Sequence, residues 1–339
     1  MILKTIRANE NAVILVDCDC DGFSSASLLA NYLYKYFSTW VEDKLDFYIH
    51  GTKTHGLTDC YEYFIEKKYK LVIAPDSSSN DYEQCLMLNK NGAKVVILDH
   101  HAVDDLKVAP LTTIINNQLC DYPNKAFCGA GIVWQFCRFL SETLFHDDYY
   151  KQFLDLAALG LVGDMMSMTS DETALLIREG IKDDNLHNPF ITYMREKNAY
   201  SIGPTPTPMG WAFYIVPFVN AMVRSGTLDE QELLFNSFLE YRAFQEIPST
   251  KRGCKGEFEK LVEQAVRTAT NVKARQTKAQ DVAMEILEKR IMKDNMLDHK
   301  VLLFLLDKEE IAPSIAGLVA NKIMAKYQRP TCVLTKHEE

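Results

Sequence analysis

The 339-residue sequence contains no CxxC pair, although it has nine cysteines, which stand singly or as Cys18-x-Cys20. That spacing argues against zinc binding and against disulfides, and points to reduced thiols in a cytoplasmic chain. No apolar run approaches the ~20 residues of a membrane span, and no secretory hydrophobic region opens the chain, so neither a membrane protein nor an exported one is expected. A basic excess is also missing. The net charge of −9 argues against a general polyanion binder. It does not exclude a nucleic-acid enzyme, because carboxylates that hold cations enter the tally as bare negative charge. What is present, 47% hydrophobic and 24% charged residues over a length sufficient for two domains, is an ordinary globular composition.

Against this background one stretch stands out, Asn11 to Leu29, NAVILVDCDCDGFSSASLL. Val13 to Val16 is a short apolar run of the kind that forms a strand buried on both faces. Asp17, Asp19 and Asp21 follow at alternate positions, then Gly22 and a helix expected over Ser24 to Tyr36. Three carboxylates beside a buried strand end repel one another and lose hydration, so they need a positive partner, and a divalent metal is the economical one. A solvated turn would also accommodate three aspartates. An EF-hand loop shares the D-x-D-x-D-G opening, but its twelfth position requires a glutamate; here that position is Leu28, and a strand precedes the loop.

Further strands are expected over Asp46 to His50, Lys70 to Ala74 and Ala93 to Leu98. Helices are expected over Tyr61 to Lys68 and Asp81 to Asn91, the latter capped by Ser79 or Asn80. The polar stretch Gly51 to Asp59 reads as a turn; its His55 is a candidate ligand contact, though a solvated loop histidine is the simpler reading. Strands alternating with helices at this spacing describe a parallel α/β sheet with right-handed crossovers. In such sheets ligands collect outside the carboxyl ends of the strands. Asp17/Asp19/Asp21, Asp76 and Asp99-His100-His101 each follow an expected strand, so three groups converge on one sheet edge. Asp164, after the small-residue turn Val162-Gly163, is a candidate fourth contributor.

Beyond the sheet, a helix is expected within Phe127 to Phe145, after its Gly129-Ala130-Gly131 start, and others over Gln152 to Leu161, Glu172 to Lys182 and Leu228 to Tyr241. Gly203 to Gly226 mixes a proline-rich loop with an apolar segment ending at Asn220 and Arg224, and Ile247 to Gly256 is the best linker candidate. Glu257 to Lys293 has helical periodicity without proline or glycine. Lys251 to Asp294 holds eleven Lys/Arg against seven Asp/Glu, the one sustained basic bias; a solvated helix face explains it as well as a nucleic-acid contact does. His299 to Leu334 reads strand, helix, strand.

Carboxylate and imidazole donors without thiolates suit Mn²⁺ or Mg²⁺ better than zinc. Their number exceeds the needs of one Mg²⁺, and two ions ~3.5–4 Å apart fit the inventory. Such a pair activates water and stabilises charge on a phosphoryl group, so phosphoester hydrolysis is the expected chemistry.

Asp17-Cys-Asp19-Cys-Asp21-Gly22, Asp76, Asp99-His100-His101 and Gly163-Asp164 resemble, in order, the four motifs of the DHH phosphoesterase superfamily. The three-aspartate first motif is similar to the RecJ-like single-strand-specific DNA exonuclease branch. Cys128 to Gly131, Ile215 to Arg224, Asn271-x3-Arg275-Gln276 and Ile311 to Ala320 resemble further segments of that branch, so the likeness covers roughly residues 12–334. The resemblance implies that Asp19, Asp21, Asp76, His100 and Asp164 ligate two Mn²⁺ or Mg²⁺ ions, with Asp76 as the bridge and Asp17 and Asp99 supporting the ligands. It places His101 on the scissile phosphate, making Asp76, Asp99 and His101 the catalytic group. Asn220, Arg224, Arg275 and His55 would contact nucleic acid, arginine being suited to forked phosphate contacts. The implied activity is 5′-to-3′ hydrolysis of single-stranded DNA in repair or recombination.

Two positions depart from the family pattern. Ser78 stands where a glycine is usual two residues after the second-motif aspartate, and Val223 replaces a glycine before the motif arginine. The chain also stops before the glycine- and histidine-containing substrate motif of the DHH-associated domain. The expected organisation is a DHH domain over residues 1–246, an α/β fold with a parallel sheet, helices on both faces and a helical extension. A linker and long connecting helix follow over 247–296, then an incomplete DHH-associated α/β domain over 297–339. Two other readings remain open: a phosphodiesterase of short oligonucleotides or cyclic dinucleotides, and a catalytically weak, partner-binding homologue. The basic helix and Arg224 argue against the first, the intact acidic and histidine set against the second.

Overall fold

The computed structural model describes residues 1–51, 54–254, 256–307 and 310–336. Five parallel strands organise its N-terminal half: β1 (Ala12–Val16), β2 (Leu45–Ile49), β3 (Leu71–Pro75), β4 (Lys94–Asp99) and β5 (Thr112–Asn116). Their spatial order is β2-β1-β3-β4-β5. Because successive strand side chains point to opposite faces, each apolar run feeds two cores. Ile14, Ile73 and Leu98 enter the larger core on one face, and Leu15, Val72 and Ile97 enter a second core on the other. Helices therefore cover both faces, which is what an all-parallel sheet requires.

β5 has no counterpart among the expected strands. Its sequence, TTIIN, alternates buried and exposed positions, because an edge strand with one neighbour needs no continuous apolar run. The strand order also has a switch point. From β1 the chain first steps outward to β2, then returns past β1 to β3, leaving a crevice between the carboxyl ends of β1 and β3.

Several boundaries move. The first long helix spans Cys20–Lys44, so Asp21 belongs to its first turn rather than to a loop. The helix Tyr82–Lys90 has Asp81 at its N-cap, not Ser79 or Asn80. The Asp81 carboxylate instead accepts from the amide of Leu57 at 2.8 Å, anchoring the end of the turn whose residues 52–53 lie outside the described set. The apolar stretch before Arg224 is two helices, Pro208–Tyr214 and Val216–Ser225, broken at Ile215.

The expected linker takes part in a short antiparallel hairpin, β6 (Glu246–Pro248) with β7 (Phe258–Lys260). Its polar, proline- and glycine-containing composition suits a hairpin turn as well as a linker; residue 255 lies outside the described set. Buried Glu259 fastens it by accepting from Ser249 Oγ and pairing with Lys251 and Arg267. The helix Leu261–Lys293 then serves two cores. Val262, Ala269 and Val272 pack into the main one, while Ala283, Leu287 and Ile291 pack against β8 (Leu302–Leu306), helix Pro313–Tyr327 and β9 (Thr331–Thr335). Its basic face is partly neutralised, with Arg275 on Glu230, Lys289 on Glu285 and Arg290 on Glu310. Among the described residues no helix is long and apolar enough to cross a membrane.

Candidate active site

Strand register brings the acidic residues together. β1 pairs with β3 as far as Ile14↔Ile73, and β3 with β4 as far as Pro75↔Leu98. Continued past the last pairs, the same alignment sets Asp17 beside Asp76 and Asp76 beside Asp99, across the carboxyl edge at the switch point. The Asp76 amide donates to Leu98 O at 2.8 Å and holds the turn.

Two helix N-termini hold the other aspartates. Asp19 caps Cys20–Lys44, its Oδ1 accepting from the amides of Asp21 (2.9 Å) and Gly22 (3.0 Å). Asp21 faces a second helix, Gly129–Leu140, accepting from the amides of Gly129 (2.5 Å) and Ala130 (3.0 Å). The helix dipole favours a negative charge there. Position 129 must be glycine, since a Cβ would lie 2.4 Å from the Cβ of Asp76. The Cys128–Gly131 segment, read from the sequence as a small-residue helix start that resembles the RecJ-like branch, thus holds Asp21.

His100 Nε2 lies 3.1 Å from Asp76 Oδ1, 3.7 Å from Asp164 Oδ2 and 3.9 Å from Asp21 Oδ2. Ligand atoms of Asp21, His100 and Asp164 fall within 4.8 Å of one another, as do those of Asp17, Asp19 and Asp76. A third grouping joins Asp76 to Asp99, His100 and His101. Asp76 therefore belongs to more than one set.

A divalent cation fits these donors. Among the described residues, the buried Oδ1 atoms of Asp17 and Asp76 accept no hydrogen bond, His100 Nε2 approaching the latter without hydrogen-bond geometry, an arrangement costly unless a cation takes up the lone pairs. Burial, with repulsion from Asp21 and Asp19, pushes the Asp76 carboxyl well above its ordinary range. Burial and Asp21 raise Asp164 to about 6. Asp19 is raised by burial and Asp21, with exposed Arg224 near enough to offset part of the rise.

Those shifts fix a sign. Between about pH 4 and pH 6 the native metal-free protein retains protons that the unfolded chain has released, so its stability falls as pH rises through that window. A bound cation removes the penalty. The increase in Tm produced by Mn²⁺ should be several-fold larger at about pH 7.5 than at about pH 5 in calorimetry; an equal increase at both would contradict the assignment.

Asp99 orients His101. It accepts from the amides of Ser79 (3.1 Å), His100 (2.7 Å) and His101 (3.2 Å), and its Oδ1 lies 2.7 Å from His101 Nδ1. Burial works to raise Asp99, but the hydrogen bonds from His101 and Ser79 win and hold it well below the usual carboxylate range. The Asp99 contact in turn raises His101, keeping it cationic to higher pH.

The turn after β3 is strained. Asp76 has φ 63° and Ser78 φ 80°, so Ser78, the position where the family usually has glycine, does adopt the left-handed backbone that glycine favours. Ser78→Gly should therefore stabilise the protein by about 1 kcal/mol, read as a higher urea midpoint; an unchanged or lower midpoint would argue against strain there.

The remaining residues named from the sequence are less uniform. His55 is exposed in its loop, as read from the sequence, but it is also engaged: it lies 2.7 Å from Asp17, whose hydrogen bond raises it to about 10. Arg275 pairs with Glu230 at 2.7 Å, tying the long helix to helix Leu228–Phe238, instead of standing free for a phosphate. Asn220 Oδ1 is buried without a partner. Arg224 makes no hydrogen bond or ion pair among the described residues. A polar cleft of about 470 Å³ opens beside the site, bounded by His55, Asp76, Ser77 to Asp81 and His101. A larger apolar hollow of about 650 Å³ beside β5 contains none of these titratable groups.

Comparison with known proteins agrees with this layout. Residues 11–161 match the DHH family, N-terminal domain. The whole chain aligns at 29% identity with 57% of YorK of Bacillus subtilis, named as a proposed SPbeta prophage-derived single-strand DNA-specific exonuclease. It aligns at 23% identity with 39% of the single-stranded-DNA-specific exonuclease RecJ of the same organism. The chain thus spans a little over half of the first of these relatives and less of the second. A crystal structure of exonuclease RecJ bound to manganese superposes with a TM-score of 0.76 at 18% identity, over 98% of this chain and 78% of that one. RecJ from Thermus thermophilus with Mn²⁺ gives 0.75 at 19% identity, over 98% and 45%. Residues 11–161 thus match the DHH family, N-terminal domain, and the chain shares the fold of the RecJ structures.

Proposed function

We propose that the chain is a metal-dependent phosphodiesterase that removes nucleotides from the 5′ end of single-stranded DNA, using two Mn²⁺ or Mg²⁺ ions. The observation that carries this reading is the meeting of Asp17, Asp19, Asp21, Asp76, His100 and Asp164 at the sheet's switch point, with buried carboxylate oxygens of Asp17 and Asp76 that accept no hydrogen bond among the described residues. The relatives named above as single-strand DNA exonucleases, and RecJ structures holding manganese, support the choice of substrate and ion. Asp19, Asp21, Asp76, His100 and Asp164 would hold the ions, helped by Asp17; when bound, these supply an activated water and charge neutralisation at the phosphoryl group. His101, aimed by Asp99 and cationic to higher pH than a free imidazole, would donate a charge-assisted hydrogen bond to a phosphate oxygen. The adjoining cleft, walled by serines and Asn80, gives a nucleotide room and hydrogen-bonding partners.

Residues 1–246 would carry the chemistry, 247–296 would connect, and 297–339 would begin a DHH-associated domain. Free cysteines throughout suit a reducing compartment, the cytoplasm.

End-labelled single-stranded DNA, offered beside di- and trinucleotides and cyclic dinucleotides with Mn²⁺ and then Mg²⁺, tests the proposal. Progressive loss from the 5′ end is expected. Hydrolysis confined to substrates of three nucleotides or fewer would favour a small-nucleotide phosphodiesterase instead. Arg224 gives a second test, since it alone of the named basic residues is unpaired beside the acidic centre. Arg224→Ala in a catalytically dead background should lower DNA affinity and flatten the slope of log affinity against log salt by roughly 0.7, one single-strand phosphate contact. Unchanged slope with unchanged affinity would remove Arg224 from the DNA path.

A further inference from the structure

The first motif carries a cysteine between its aspartates that the reading above leaves unused. Cys18 Sγ lies 3.6 Å from His55 Nε2 and 3.8 Å from Nδ1, and His55 Nδ1 lies 2.7 Å from Asp17 Oδ2. Ligand atoms of all three residues fall within 4.8 Å of one another. We propose that Asp17, Cys18 and His55 form a separate binding site for a thiophilic divalent cation of the Zn²⁺ class, on the rim of the carboxylate centre.

The donor set separates the two sites. Oxygen and imidazole donors suit Mn²⁺ or Mg²⁺, whereas a thiolate selects zinc. Three protein donors with a fourth position left to water is a common zinc arrangement. The spacing agrees. Ligands on one tetrahedral ion stand about 3.5 Å apart for sulfur–nitrogen and about 3.3 Å for nitrogen–oxygen, given ordinary zinc bond lengths. With His55 Nδ1 as the donor, the thiol–imidazole distance is 3.8 Å and has only to shorten slightly. The 2.7 Å imidazole–carboxylate contact is a hydrogen bond, and it opens by roughly half an ångström when a cation replaces the shared proton.

Access and backing are both provided. The His55 side chain is 62% exposed, leaving an entry path and room for a water ligand. Cys18 is buried just past the end of β1, which fixes its position. On binding, the Cys18 thiol proton and the proton shared by His55 and Asp17 leave to solvent. Asp17 links the two sites: its Oδ2 faces His55, while its unpartnered Oδ1 belongs with Asp19 and Asp76. Zinc at the rim therefore withdraws Asp17 from the carboxylate group and weakens Mn²⁺ there.

Cobalt reports this site without reference to catalysis. The full chain is titrated with Co²⁺ in excess Mg²⁺, so that the hard ion fills the oxygen-rich group. A near-ultraviolet thiolate-to-cobalt charge-transfer band should appear at one equivalent and vanish on adding one equivalent of Zn²⁺. Cys18→Ser should abolish the band and His55→Gln should weaken Co²⁺ binding at least ~10-fold, while Cys120→Ser, at an exposed cysteine elsewhere, should leave both unchanged. His55→Gln lies in a surface loop and keeps the test meaningful should Cys18→Ser fold poorly. No band in the parent protein, a band undiminished in Cys18→Ser, or unaltered affinity in His55→Gln would overturn the site.

Discussion

Asp76→Ala should lower DNA hydrolysis by at least ~10³-fold, a barrier increase of about 4 kcal/mol. Asp76 is the carboxylate common to more than one ligand group, it is 1% exposed, and its Oδ1 accepts no hydrogen bond among the described residues. Removing it leaves neither cation position complete. The fold should survive, because one of several clustered negative charges disappears and repulsion in the metal-free form is relieved. The backbone at φ 63° tolerates aspartate and asparagine better than alanine. Asp76→Asn is therefore the companion variant: it keeps the turn and loses the charge, and it should be as inactive as Asp76→Ala. Calorimetric titration with Mn²⁺ should show both variants losing at least one equivalent of tight binding. Retention of more than about a tenth of the parent rate, ~1.4 kcal/mol in barrier terms, would remove Asp76 from any bridging role.

The second large effect is expected at Asp99, which on the proposed reading would act on substrate through His101. Asp99→Asn should reduce kcat by ~10²–10⁴-fold, the range for losing a positioned proton-transfer or charge-donating group. Asparagine keeps the size of the side chain but turns a donor toward amides and an imidazole that all need an acceptor at Asp99. A pH profile separates positioning from general damage. Asp99 raises His101, so the cationic imidazole persists to higher pH in the parent protein. Without that carboxylate the cation is lost at lower pH, and the alkaline limb of kcat should move toward acid. His101→Ala should match the loss in rate and abolish that limb. A rate within threefold of the parent with an unmoved profile would leave Asp99 a structural residue only.

These two residues show how the fold and the site were divided between sequence and packing. β1, β3 and β4 are buried on both faces, so their apolar runs are continuous and legible; Asp17 and Asp76 directly follow β1 and β3, and β4 ends at Asp99. A parallel sheet places all strand ends of one polarity on one edge. The meeting of Asp17, Asp19, Asp21, Asp76, Asp99 and His100 therefore follows from local pattern and strand direction, before any packing is considered. β5 was not legible for the converse reason, as an edge strand has no second face that must be apolar.

Packing alone decided the partners. Asp21 is held by amides 108 and 109 residues away, His55 meets Asp17 across 38 residues, and Arg275 meets Glu230 across 45. No periodicity encodes those pairs. A charged side chain in a loop or on an exposed helix face reads the same whether it ends in water, on a phosphate or on an opposite charge, and only the tertiary approach of another element selects among them. The same holds for backbone conformation at Ser78: its departure from glycine is visible in the sequence, but its φ of 80° belongs to a folded turn whose next residue, Ser79, donates its amide to Asp99 at the end of β4. Strand ends, fixed by hydrophobic period, were the sequence's contribution; the hydrogen bonds that orient and charge the groups there depend on distances between elements far apart in the chain, and only the folded structure sets them.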